Sequence, residues 1–116
     1  MHKYQELKVW QKAMELIADI YKLTNKFPPK EQFGLTTQIN RCAVSIASNI
    51  AEGAGRNTKG EFNQFLGIAV GSLFELETQI LISNRVGYSI NKETQPLINS
   101  ISEIHKMLIG LKKTLK

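Results

Sequence analysis

Two polar series are where any chemistry in this sequence would have to start. Arg41, Ser45, Asn49, Glu52 and Arg56 recur at spacings of four, four, three and four, so on a helix they share one face. Gln64, Ser72, Glu75 and Gln79 form a second series further on. If the two segments fold back on each other around Ala54 to Asn57, facing positions sum to about 113. That register sets Arg41 near Ser72 and Glu75, and Asn49 near Gln64. Opposite charges at facing levels predict an Arg41–Glu75 pair, which would set register and partner choice more than net stability. The competing reading gives Arg41 and Arg56 to phosphate groups. Arg56 and Lys59 also flank the expected turn, where the free amides and dipole of a following helix attract anions. They are the candidate nucleic-acid contacts, with Glu61 close by and Glu52 positioned to pair with Arg56 instead.

Metal and covalent chemistry find little support. A di-iron bundle needs inward glutamates and two Glu-x-x-His motifs. The histidines are His2 and His105, and residue 102 is a serine. No metal, cofactor or catalytic residue is assigned, and His105 reads as a surface or interface residue. Cys42 sits among Ile39, Ala43 and Ile46 and reads as a small buried hydrophobe. Ser45 and Ser72 have no histidine in the same layer to activate them. Gly53-Ala54-Gly55-Arg56 lacks the preceding strand and the Gly-Lys-Ser/Thr of a phosphate loop.

The elements that would carry these residues are four helices. Phe27-Pro28-Pro29, Gly53 to Thr58, and Gly87 to Asn91 punctuate the chain. A first helix is expected from about Gln5 to Lys26. One of its apolar stripes is Val9, Ala13, Leu16, Ile20 and Leu23, and a second is Leu7, Trp10, Met14, Ile17 and Tyr21. The stripes lie roughly 120° apart. Two such faces on one helix predict an oligomer contact. A second helix is expected from Lys30 or Glu31 to a stop at Gly53, with Phe33, Leu35, Ile39, Ala43, Ile46, Ala47 and Ile50 apolar. A third follows Thr58 as N-cap with Glu61 completing a capping box. Its seam is Phe62, Leu66, Ala69, Leu73, Leu76 and Ile80, with Val70, Phe74 and Leu81 off it. Gly67 and Gly71 inside it predict close helix approach. A fourth runs from about Lys92 to Leu115, with Pro96 tolerated in its first turn. The fold class is all-α, an antiparallel up-down-up-down four-helix bundle, in one domain spanning residues 1–116.

Composition fits that reading. The chain has 116 residues, a net charge of +5, and twelve lysines among its fifteen basic residues. A modest positive charge permits weak attraction to polyanions and equally describes a solvated lysine-rich surface. One cysteine excludes an internal disulfide and suits a reducing compartment. The start, Met1 to Glu6, has no apolar stretch, and uninterrupted apolar runs are far short of the ~20 residues that span a bilayer. A soluble cytoplasmic protein without a membrane partner is expected.

The runs Leu7-Lys8-Val9-Trp10-Gln11-Lys12-Ala13, Phe33-Gly34-Leu35, Arg41 to Gly53 and Phe62 to Leu76 resemble the bacterial family known as S23 ribosomal protein or 23S rRNA intervening-sequence protein. The stretch Ser45-Ile46 to Asn49-Ile50-Ala51-Glu52-Gly53 carries the likeness most sharply, and helix 4 matches only in heptad character. Some members of that family are encoded inside insertions in genes for large-subunit ribosomal RNA. The resemblance implies an antiparallel bundle assembled as a ring-like homopentamer. The sequence is also similar to the accessory protein of diversity-generating retroelements, a basic pentamer thought to engage nucleic acid. The functional expectation is a non-enzymatic oligomeric module that binds RNA or DNA through basic surface. The alternative is an interaction module for another protein, with the charge incidental.

Overall fold

The computed structural model describes residues 3–116; Met1 and His2 lie outside the described residues. Four helices follow one another: α1 (Lys8–Thr24), α2 (Leu35–Ala54), α3 (Lys59–Arg85) and α4 (Asn91–Lys113). Each packs on its neighbours in the order 1-2-3-4 and α4 closes back on α1, while diagonal pairs stay apart. This is the up-down-up-down arrangement that short loops impose. The α2–α3 pairing is the most extensive. At 27 residues α3 is roughly 40 Å long, nearly the molecule's full 43 Å.

The core takes one stripe from each helix. Val9, Ala13, Leu16, Ile20 and Leu23 come from α1, and Ile39, Ala43, Ile46, Ala47 and Ile50 from α2. Phe62, Leu66, Ala69, Leu73, Leu76 and Ile80 come from α3, and Leu97, Ile101, Ile104 and Leu108 from α4. By length and composition α3 would suffice to cross a membrane, but its apolar seam is buried in the core of the bundle.

Several expectations need correction. The first helix starts later, because Tyr4–Glu6 form a separate 3-10 turn and Leu7 is extended. Gln11 ties that turn back through a 2.8 Å bond to the Gln5 carbonyl. The second helix starts at Leu35, after a 3-10 turn at Pro29–Glu31. Glu31 is left outside α2 and accepts the Leu35 amide at 3.0 Å, satisfying one orphan donor of the first turn. Phe33 therefore belongs to the loop and is 90% exposed instead of lying in the core.

Gly53 does not stop α2, which runs on to Ala54. It stands where α2 meets α3: a Cβ there would lie 2.8 Å from Phe65 Cβ and 2.9 Å from a Phe62 ring carbon. The close approach expected at Gly67 and Gly71 is thus found at Gly53. Gly71 has nothing within 4 Å of a built Cβ, and Gly67 faces only the flexible Lys112 ammonium. The one positive-φ glycine among the described residues is Gly87, at 84°, in the α3–α4 turn.

Candidate functional site

The α2–α3 turn carries the two residues expected to meet nucleic acid. Thr58 caps α3 as expected, its hydroxyl accepting the Glu61 amide at 3.1 Å. That bond occupies one of the amides an anion would use. Arg56 and Lys59 are both exposed. The Arg56 guanidinium lies 4.7 Å from the centroid of the Phe65 ring, a cation–π arrangement that fixes its position while leaving its donors outward. It makes no ion pair with Glu52, which is itself exposed. The antiparallel topology brings the end of α4 to the same end of the bundle. Lys112 donates to the Asn63 carbonyl and side chain, both at 3.0 Å, and is thereby committed. Lys113 and Lys116 are exposed beyond it. Sequence reasoning did not group these lysines with the turn, although the expected topology already required it.

The polar series of α2 and α3 meet as a shallow trough, lined by Gln38, Arg41, Cys42, Ser45, Glu75 and Gln79. The register differs from the expected one by about a turn. Ser45, not Arg41, reaches the Ser72 hydroxyl, at 2.8 Å, and the Cys42 thiol donates to the Ser72 carbonyl at 3.1 Å. Arg41 and Glu75 share the trough without forming the expected ion pair. The ion pairs among the described residues are Lys12–Glu103 at 2.7 Å and Lys26–Glu93 at 3.0 Å, both joining α1 or its end to α4. Asn49 does not reach across to Gln64. Its amide donates to the Ser45 carbonyl one turn back on its own helix, at 2.7 Å. Burial, and secondarily the Glu75 carboxylate, push the Cys42 thiol up to about 12. It stays protonated at neutral pH and is no nucleophile.

On the other flank of α2 the surface is apolar. Tyr4, Trp10, Met14 and Ile17 with Val44, Ala47, Ser48 and Ala51 line a groove of about 300 Å³. Tyr4 packs edge-on against Trp10, with ring centroids 5.2 Å apart. This is the second stripe of α1, and Met14 and Tyr21 are more than two-fifths exposed on it. On the far side of the bundle Phe74, Leu81 and Ile82 of α3 are similarly exposed. His105 of α4 lies against the Phe74 ring at 5.0 Å. Among the described residues no three His, Cys, Asp or Glu side chains gather as a metal site.

Fold and surface together define a helical bundle with one basic end, one polar trough and two uncovered apolar faces. The chain belongs to the 23S rRNA-intervening sequence protein family, whose family model matches residues 5–110. It is similar to a protein of unknown function from the S23 ribosomal protein family of Bacteroides thetaiotaomicron, known from a crystal structure. The two share 27% identity and superpose with a TM-score of 0.83 over 90% of this chain and 95% of that one. No curated protein matches the sequence.

Proposed function

We propose that this protein is a non-enzymatic, self-associating bundle that holds RNA on the basic end of each subunit. The observation that carries the reading is Arg56. Its guanidinium is seated over Phe65 at the α2–α3 turn, free of any carboxylate partner. Lys59, Lys113 and Lys116 are exposed at the same end. Such a cluster attracts phosphates without reading sequence. The family's name associates it with 23S rRNA, which makes RNA the natural probe.

Self-association is supported by the apolar stripe of α1 and the Phe74–Leu81 face of α3. They lie on different sides of one molecule, so a head-to-tail contact between them would propagate from copy to copy, and would close into a ring where the rotation per subunit divides a full turn. The family resemblance makes five the expected number of subunits. In a ring the basic end is repeated once per subunit, and weak patches act together on one long anion.

The test is titration of labelled single-stranded RNA and an RNA duplex at low and moderate salt. Binding at low salt that falls steeply as salt rises is expected, with most of it lost in Arg56→Ala/Lys59→Ala. No binding at low salt contradicts the reading; unchanged binding by the double variant moves the site elsewhere.

A further inference from the structure

The trough between α2 and α3 has no part in the reading above, yet it contains the most costly unsatisfied group among the described residues. Five polar residues are buried: Thr24, Gln79, Ser83, Ser89 and Thr94. Four have partners. Thr24 bonds Asn40 at 2.9 Å, the Ser83 and Ser89 hydroxyls share a bond at 2.6 Å, and Thr94 bonds Asn84 and the Ile90 carbonyl. Gln79 does not. It is 8% exposed, and its Oε1 is shut from water with no donor in reach. A buried acceptor left unmade carries a desolvation cost that nothing offsets.

The other groups of the trough sort into committed and free. The Cys42 thiol and the Ser45 hydroxyl are used on Ser72. Arg41 and Glu75 are exposed at the rim, opposite in charge, and in no ion pair. What remains is Gln38 and Arg41 on α2 facing Glu75 on α3 at the rim, with the Gln79 amide one helical turn from Glu75 and buried beneath it. The shallow trough offers about 410 Å³, in the range of the ~300–1,000 Å³ of small-ligand clefts.

We propose that this trough binds the hydrogen-bonding edge of a guanine base. Guanine presents two adjacent N–H donors, N1–H and the 2-amino group, beside its O6 acceptor. The donors suit the Glu75 carboxylate and Gln79 Oε1, the Gln79 side chain turning outward to meet the base, and O6 with N7 suits a bidentate arginine such as Arg41. Adenine offers an acceptor at N1 where a donor is required. Uracil and cytosine lack the paired donors. The guanine can belong to a free nucleotide or to an unpaired base of an RNA strand. The site is independent of the Arg56 end and stands whether or not phosphate binds there.

The test is calorimetric titration of the full chain with GMP, IMP and AMP at one moderate salt concentration, so that the phosphate is common to all three. GMP is expected to bind. IMP, lacking only the 2-amino donor, is expected to bind roughly tenfold more weakly, and AMP not measurably. Gln79→Leu removes the orphan oxygen, so it should abolish the preference for GMP over IMP while raising the unfolding temperature of the free protein. Arg41→Met, at the exposed rim, should weaken GMP without changing the fold by circular dichroism. Arg56→Ala/Lys59→Ala should leave GMP binding intact, which separates this site from the basic end. A uridine-rich oligonucleotide with one guanine, compared with GMP, tells the two sources apart, and tighter binding of either retains the site. Equal affinity for GMP, IMP and AMP, no binding by any of them, or GMP binding untouched by Gln79→Leu and Arg41→Met overturns the proposal. So does a change in oligomeric mass on Gln79→Leu, which would make the trough a contact between subunits.

Discussion

The two flanks of α2 are shallow clefts of similar size and opposite character. Toward α3 the lining is Arg41, Ser45, Glu75 and Gln79; toward the outer stripe of α1 it is Trp10, Met14, Ile17 and Val44. The polar flank carries its cost inside, as a buried amide oxygen without a donor. The apolar flank carries its cost outside, as aromatic and aliphatic surface left in water. A directional deficit calls for a ligand with the right atoms in the right order. A non-directional one is relieved by any surface of matching shape, and a second copy of the chain is the one always at hand.

Two residues near the end of α2 separate the flanks most sharply. Gly53→Ala forces a methyl against Phe62 and Phe65, and should destabilise the fold by about 1–3 kcal/mol in chemical denaturation. Ala51 lies two residues away and faces the apolar groove. Ala51→Leu should change folding stability by less than about 0.5 kcal/mol, yet alter assembly as seen by gel filtration. Equal effects of the two substitutions on folding would erase the distinction between the flanks.

The charges of the trough give a smaller effect. With no ion pair between Arg41 and Glu75, the losses from Arg41→Met and Glu75→Leu should add to within about 0.5 kcal/mol in the double variant. A coupling well above that would mean the two side chains close on each other in solution and that the trough is self-satisfied.

Helix content, order and pairing were legible in the sequence because each core stripe is a clean 3-4 rhythm and Thr58 with Glu61 marks a start unambiguously. The second stripe of α1 was legible as surplus for the same reason. What failed was local. Phe33 looked like the first apolar residue of α2, because nothing in the sequence shows that Glu31 caps the helix from outside it. Gly67 and Gly71 looked like contact points, but a glycine's reason is visible only in what its missing Cβ would strike, and that selected Gly53. The facing register was off by about a turn, and at the observed one, where Ser45 meets Ser72, Arg41 and Glu75 stand at matching levels but extend into solvent at the rim instead of pairing. Gln79 was placed in the polar series, but only the geometry shows its oxygen to be buried and alone.

The loop end of the bundle, remote from the Gly53 end of both flanks, gives the mildest expectation and serves as a control. The Leu35 amide, then the Tyr88 hydroxyl, hold Glu31 below the usual carboxylate range, and Lys26, then the Ile90 amide, do the same for Glu93. A carboxylate lowered in the folded state stabilises above its ordinary value, and that contribution is lost as pH falls through the folded value. The unfolding midpoint should therefore drop slightly below about pH 4.5, and Glu31→Gln should flatten that part of the profile. An unchanged profile would show that these bonds do not persist in solution.

Static light scattering at micromolar concentration, on the natural chain and on Trp10→Glu/Met14→Glu, reads whether the outer stripe of α1 is a contact between copies. A mass several times 13.1 kDa is expected for the first and 13.1 kDa for the second, with helical content unchanged. A natural chain that stays at 13.1 kDa, or a double variant that assembles as before, would contradict that contact.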